Sequence, residues 1–103
     1  WHSKVPFHRS QQLQANYHRK YGTKILPGVL PTAYDAVMVL ADAIRRAQSL
    51  KHKKIRDTLA VTKNFQGATG TITFDENGDP VNKAAVILKF EKGTSVYVKT
   101  IKP

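Results

Sequence analysis

The chain has 103 residues, of which 41% are hydrophobic and 23% are charged, and it contains no cysteine. This length suits one domain with a modest core, and the composition excludes a disulfide scaffold and a thiolate metal site. Lysine and arginine number 17 against 7 acidic residues, which gives a net charge of +10. That balance favours anionic partners such as nucleic acid or acidic membranes, unless the charge simply solvates the surface.

The first predicted element is a polar amphipathic helix within residues 3–21. Its apolar residues recur at roughly helical intervals: Phe7, Leu13, Tyr17 and Tyr21. Gly22 stands where a glycine cap ends a helix. Two starts remain open, because Pro6 suits a first helical turn and Ser10 would begin a shorter helix.

An apolar connector follows at residues 23–30, and its Pro27-Gly28 pair predicts a turn. Loops are usually polar. An apolar loop therefore indicates either packing against another part of the protein or the lining of a pocket.

The clearest element is a helix over residues 31–47. Pro31 suits its first turn, and Thr32 followed three residues later by Asp35 has the form of a capping box. A stripe at three- and four-residue steps predicts the inward face: Ala33, Val37, Leu40, Ile44 and Ala47. Because residues 36–41 carry no polar side chain, we expect this helix to pack on more than one side.

A shorter helix is predicted over residues 51–62, with Ile55, Leu59 and Thr62 facing inward. Its first turn is basic: Lys51, Lys53 and Lys54. The helix macrodipole favours acidic residues at that end, so we expect either a frayed turn or a bound anion.

From residue 67 onward the apolar period changes to two, which predicts three strands at residues 71–75, 84–90 and 94–101. Residues 91–94 predict a hairpin between the last two strands, which then pair antiparallel. Residues 75–80 begin like a calcium loop. Pro80 and Val86 replace the glycine and glutamate that an EF-hand requires, so a capped turn is the prediction.

Chemistry-bearing patterns are sparse in this sequence. Four histidines show no helical pairing: His2, His8, His18 and His52. We therefore predict no metal site, no cofactor and no enzymatic activity. The run Gly67-Ala68-Thr69-Gly70 is spelled like the GxxG of an RNA-binding KH module, but it leads into a strand. Such glycines more often serve a bend where two elements cross closely.

Five separate pieces of the chain, taken in order, resemble one family. It comprises the substrate-binding proteins of ATP-driven importers for branched-chain amino acids and related ligands, the extracellular ligand-binding receptor family with a type I periplasmic fold. The matching pieces are residues 13–22, 33–37 with 40–44, 55–59, 65–79 and 96–101. The most specific piece is the glycine-rich strand that leads into Phe74-Asp75 and ends in Gly78-Asp79.

The resemblance implies an α/β protein in which this chain is the C-terminal part of a two-lobed type I periplasmic-binding-protein fold. We expect about three helices followed by a three-stranded, mainly antiparallel β segment. Residues 1–103 would be a single piece of a larger ligand-binding protein, helical over 3–62 and β-rich over 67–102.

The resemblance also implies a function, that of the solute-binding component of an ABC importer. Such a protein binds a small amino-acid-like or organic-acid ligand in a cleft between two lobes, works with a membrane permease, and is periplasmic or extracellular at the cell envelope. In the family, the crossover before the Tyr-Asp-Ala helix lies close to the cleft. Val29, Leu30 and Tyr34 are therefore the residues expected near the ligand.

Two features bear on partners. The net charge of +10 is high for the family, so an aromatic acid, an amide or another anionic solute would be as suitable a ligand as leucine. A piece that spans two lobes would also leave apolar surface unburied, so we expect self-association.

The alternative function is that of a small basic α+β module that binds nucleic acid. The basic run that would carry it is Arg45, Arg46, Lys51, Lys53, Lys54 and Arg56. Net charge alone produces only non-specific binding, and Tyr97 is the one aromatic in the last strand that offers a stacking surface. The resemblance makes nucleic acid the less favoured partner.

Overall fold

A computed structural model describes residues 1–24 and 26–103, so Ile25 of the predicted apolar connector lies outside the described residues. Three helices precede four strands within that part of the chain. The elements are α1 (His8–Tyr21), α2 (Leu30–Ala47), α3 (His52–Ala60), β1 (Phe65–Gly67), β2 (Gly70–Ile72), β3 (Ala85–Glu91) and β4 (Thr94–Ile101). The helix-then-strand order is as predicted, whereas the count of three strands was wrong.

Helix α1 begins between the two predicted starts. Phe7 precedes it with extended backbone and no side-chain cap, while Ser10 is buried inside the helix. The C-terminal end is as predicted, because Gly22 adopts φ +69° there and its N–H donates to the His18 carbonyl at 2.8 Å.

The inward face of α2 differs from the predicted stripe. The buried residues are Pro31, Asp35, Val39 and Ala43. Val37 is 66% exposed and Leu40 is 43% exposed, so the stripe containing them was wrong. The apolar run at residues 36–41 covers all sides of the helix. Periodicity therefore could not select a face, and the buried carboxylate of Asp35 marks it instead.

The predicted capping box is also absent. Val29 is the residue that precedes α2, and the start of the helix has no side-chain cap. Asp35 does not reach back to the first turn, because its carboxylate is engaged elsewhere, as described below.

Helix α3 runs from His52 to Ala60 and packs with α2. Ile55 and Leu59 are half-buried and Thr62, just beyond the helix, is buried, in agreement with the predicted inward face. Its first turn has no acidic residue and no side-chain cap.

The strands form two separate antiparallel pairs within the described residues. In the pair β1–β2, Gly67 lies opposite Gly70, and this tight turn is the feature that the predicted strand pattern did not resolve. The pair β3–β4 is the predicted hairpin, with a bulge where its register shifts between Ile87 and Leu88. Residues 75–79 form the predicted capped turn, in which Asp75 Oδ1 accepts the N–H groups of Asn77 and Asp79, each at 2.9 Å.

The core of the described chain is small, and much apolar surface remains in solvent. The buried apolar residues are Val5, Leu13, Val39, Ala43, Ala68 and Ile72. The accessible surface of 7536 Å² exceeds by roughly 30% the value of about 5,800 Å² expected for a compact monomer of 11.5 kDa. Hairpin β3–β4 contributes to the excess, since Phe90 is 76% exposed and Val98 is 51% exposed.

Candidate functional site at the start of helix α2

The three residues predicted near a ligand lie at the start of α2. The connector turns there, because the Leu30 N–H donates to the Pro27 carbonyl at 3.0 Å and the Ala33 N–H donates to the Val29 carbonyl at 3.1 Å. Val29 is 77% exposed, while Leu30 and Tyr34 are half-buried. Leu30 and Tyr34 are four residues apart in the helix and therefore lie on one face. Their contact with a ligand stays a prediction.

The next residue, Asp35, binds α2 to the turn between β1 and β2. Its side chain is almost fully buried. Oδ1 accepts the Ala68 N–H at 2.6 Å, and Oδ2 accepts the N–H and the hydroxyl of Thr69 at 2.8 and 2.7 Å. Hydrogen bonds to an ionised carboxylate are stronger than neutral ones, so these three hold the turn firmly to the helix.

Gly67 is required by this contact. A Cβ at residue 67 would stand 2.6 Å from Asp35 Oδ2 and 2.7 Å from Asp35 Cγ. The glycine run is thus a close crossing of a helix and a turn, which confirms the interpretation of this motif as a bend.

Lys83 extends the contact to the segment that leads into β3. Its Nζ donates to Thr69 Oγ1 at 3.0 Å, to the Thr69 carbonyl at 3.1 Å and to the Thr71 carbonyl at 3.3 Å. Burial lowers the pKa of Lys83, and the negative charge of Asp35 opposes that shift. We refer to Asp35, Thr69 and Lys83 as the Asp35 cluster. Sequence analysis missed it, although an aspartate within an apolar helix was a usable signal.

A cavity of about 680 Å³ lies beside the cluster, between α2, the first residues of the chain and the β3–β4 hairpin. Its lining is mainly apolar and includes Val39, Leu40 and Leu88. Asp35 and Lys83 are the charged side chains among its described lining residues, and both already bind partners within the chain. Val29, Leu30 and Tyr34 do not belong to this lining. The cavity therefore offers apolar surface rather than groups for an ammonium or a carboxylate.

The basic run of the alternative function is largely engaged in ion pairs. Asp42 accepts from Arg45 and Arg46, each at 2.7 Å. Asp57 accepts from Lys53 at 2.9 Å and from Arg56 at 2.6 Å. These hydrogen bonds lower the pKa of both carboxyl groups. Four of the six cations proposed for nucleic acid thus face carboxylates of their own chain.

In residues 1–24 and 26–103, no three His, Cys, Asp or Glu side chains come together as metal ligands would. None of the helices described combines the length and apolar character that crossing a membrane demands.

The chain matches the model of one known family over most of its length. The family model described as the receptor family ligand binding region matches residues 7–93. The chain therefore belongs to this family, as the resemblance predicted. None of the curated proteins matches the chain.

Solved structures agree with this assignment over almost the whole chain. The leucine binding protein LivK of Thermotoga maritima is 37% identical with a TM-score of 0.82, and the match covers 100% of this chain and 29% of LivK. The substrate binding protein LivJ of Streptococcus pneumoniae, solved with isoleucine, is 26% identical with a TM-score of 0.80. The match covers 100% of this chain and 29% of LivJ. An ABC transporter substrate-binding protein of Desulfitobacterium hafniense is 26% identical with a TM-score of 0.82. The match covers 95% of this chain and 29% of that protein.

The chain thus spans 29% of the length of each of these solved structures. It has the fold of one part of a type I periplasmic binding protein, as predicted, with four strands instead of three within the described residues. The solved relatives are named as binding proteins.

Proposed function

We propose that the chain is part of the solute-binding component of an ABC importer and that the ligand is a branched-chain amino acid. The observation that carries the proposal is the match of the whole chain to the leucine binding protein LivK at 37% identity. Relatives solved with isoleucine and with leucine support the same ligand class. The ligand lies in a cleft between two lobes, of which this chain supplies part of the wall.

Val29, Leu30 and Tyr34 are the residues proposed to contact the ligand. Val29 exposes an aliphatic side chain to solvent at the start of α2, and Leu30 adds a half-buried one beside it. An aliphatic side chain of a ligand gains free energy by covering such surface, at about 25 cal/mol per Å² of apolar area removed from water. Groups for the ammonium and the carboxylate of the ligand come from other parts of the cleft.

The mechanism that fits this role is closure of two lobes on the ligand. A ligand that contacts both lobes binds the closed form more tightly than the open form, and this difference in affinity shifts the population. No covalent step is needed. The closed form is then the state that a membrane permease recognises, and the protein works in the periplasm or outside the cell.

The apolar cavity and the exposed hairpin are proposed to be packing surfaces rather than ligand sites. The charged groups that line the cavity already form hydrogen bonds within the chain, whereas apolar residues of the cavity and the hairpin remain exposed to solvent. Expressed by itself, the chain is expected to self-associate through this surface. The paired cations leave the nucleic-acid alternative without support of its own.

The decisive experiment is a chimera in which this chain replaces the matching part of the Thermotoga maritima LivK. Titration calorimetry with leucine is expected to show binding, and Val29→Asp is expected to weaken it at least about tenfold by placing a charge against an aliphatic ligand. Val37→Asp, at an exposed position further along α2, is the control. A folded chimera that binds no branched-chain amino acid would overturn the proposal.

A further inference from the structure

The Asp35 cluster joins three segments that are far apart in the sequence. Asp35 lies in α2, Thr69 lies in the turn between β1 and β2, and Lys83 precedes β3. We infer that these three side chains are positioning residues, which fix the start of α2 against the turn and against the segment leading into the hairpin. The inference rests on the proposed function, because it takes Val29, Leu30 and Tyr34 as the ligand contacts to be positioned.

The start of α2 has little to hold it within the helix itself. Val29 provides no side-chain cap for the first N–H groups of the helix. An uncapped helix end frays unless contacts outside the helix restrain it. Asp35 makes such a contact only one residue beyond Tyr34.

The Asp35 carboxylate binds a single turn, the one between β1 and β2. All three of its hydrogen bonds come from Ala68 and Thr69, at 2.6 to 2.8 Å. Both carboxylate oxygens are used, and Gly67 leaves no room between the helix and the turn. A displacement of α2 along its axis would break these bonds together.

Lys83 connects the same turn to the segment that leads into the hairpin. Thr69 Oγ1 accepts from Lys83 Nζ at 3.0 Å and donates to Asp35 Oδ2 at 2.7 Å. The threonine hydroxyl therefore relays between the two charges. Asp35 and Lys83 are thus linked through Thr69, and loss of its hydroxyl removes both of these bonds.

Hydrogen exchange of the chain's own amides tests this inference without any ligand. In Thr69→Val, which is nearly isosteric but lacks the hydroxyl, we expect the Leu30 and Ala33 amides to exchange about tenfold faster. Amides in the last two turns of α2 are expected to keep their rates. Thr69→Ser retains the hydroxyl and is expected to behave like the unchanged chain.

Variants of the two charged residues extend the test. Lys83→Met is expected to give the same local pattern with a smaller change, because the bonds to Asp35 remain. Asp35→Asn is expected to give the largest change. Asp42→Asn, which alters a carboxylate on the same helix outside the cluster, is expected to leave the Leu30 and Ala33 amides at their original rates.

Two results would overturn the inference. One is a uniform acceleration along α2 in Thr69→Val, which would make the cluster a general stabiliser. The other is equal behaviour of Thr69→Ser and Thr69→Val. Leucine titration of the LivK chimera separates this outcome from the proposed function. A chimera that binds no leucine contradicts the proposed function, but the local exchange pattern still tests the cluster. If the chimera does bind leucine, Thr69→Val is expected to raise its Kd for leucine about tenfold.

Discussion

Gly67 and Asp35 approach so closely that a Cβ on residue 67 would stand 2.6 Å from the nearest carboxylate oxygen. The two residues are 32 positions apart in the sequence, yet a side chain added at residue 67 would meet the Asp35 carboxylate. Asp35 is fixed by three hydrogen bonds to the turn, so it has no rotamer into which it can retreat without losing them.

Gly67→Ala is therefore expected to lower the free energy of unfolding by about 2–3 kcal/mol, through overpacking and displaced hydrogen bonds. Urea unfolding followed by circular dichroism measures the change. Gly28→Ala is the control, because nothing lies within 4 Å of a Cβ at that position and its φ is not positive. A loss of stability at residue 67 no greater than that at residue 28 would contradict the close contact.

The second prediction concerns the arginines that share Asp42. Arg46 donates to Asp42, to the Thr58 carbonyl at 3.1 Å and to Thr62 Oγ1 at 2.9 Å, so it ties α2 to the end of α3. Arg46→Ala is expected to lower the free energy of unfolding by about 1–2 kcal/mol, because it removes three hydrogen bonds of a charged group.

Arg45→Ala provides the matched control for this change. Arg45 binds the same carboxylate, but its side chain is 81% exposed. Exposed ion pairs contribute little, so thermal melting should show a change within about 0.5 kcal/mol. Equal losses for the two variants would mean that the contacts of Arg46 with α3 contribute nothing.

The third prediction is a dependence of stability on pH. Hydrogen bonds from Arg45 and Arg46 lower the pKa of Asp42 below its ordinary value of 3.8. The folded state therefore binds fewer protons than the unfolded state, so the stabilisation is complete above pH 3.8 and is lost as pH falls through the folded pKa.

Asp42→Asn is expected to flatten the fall in stability at acid pH. Urea midpoints measured between about pH 2.5 and 6 give the comparison, since this range covers the titration of ordinary and lowered carboxyl groups. Glu76→Gln, at an exposed position in the turn after β2, serves as the control. An unchanged acid profile in Asp42→Asn would contradict the prediction.

The fourth prediction is self-association through the hairpin. Leu88 and Phe90 are two residues apart on β3 and share a face, and both are exposed. Exposed apolar patches of this kind mark interaction surfaces. Light scattering after gel filtration is expected to show species larger than 11.5 kDa.

The double variant Leu88→Ser/Phe90→Ser should shift the population toward the monomer. Lys89→Gln, on the opposite face of the same strand, should leave the distribution unchanged. If the unchanged chain is a monodisperse monomer, then its exposed apolar surface does not drive self-association and the prediction is wrong.

The sequence predicted well those features that depend on local chemistry. Gly22 ends α1 because a glycine tolerates φ +69°. Asp75 caps its turn because its carboxylate accepts hydrogen bonds from backbone N–H groups two and four residues further along the chain. The antiparallel hairpin at Glu91 and Thr94 follows from two alternating runs joined by a tight turn. Each of these signals lies within a few residues of the structure it produces.

Long-range contacts were the features that sequence patterns could not supply. The predicted inward face of α2 was wrong because Val37 and Leu40 look as apolar as Val39. The side that is covered depends on the elements that pack there, which include α3 and the distant turn at residues 67–70. Asp35 was interpreted as a local cap for the same reason. Its actual partners, Ala68 and Thr69, lie more than 30 residues away.

Hairpin β3–β4 exposes apolar side chains on both of its faces, with Leu88 and Phe90 on one and Ile87 and Ile101 on the other. A two-stranded hairpin is at best marginally stable in water by itself. Such a hairpin forms on the microsecond scale, but its amides are protected from hydrogen exchange for longer when other parts of a protein cover its faces. The exchange rates of the β3 and β4 amides therefore report whether another polypeptide segment or another molecule covers this part of the chain.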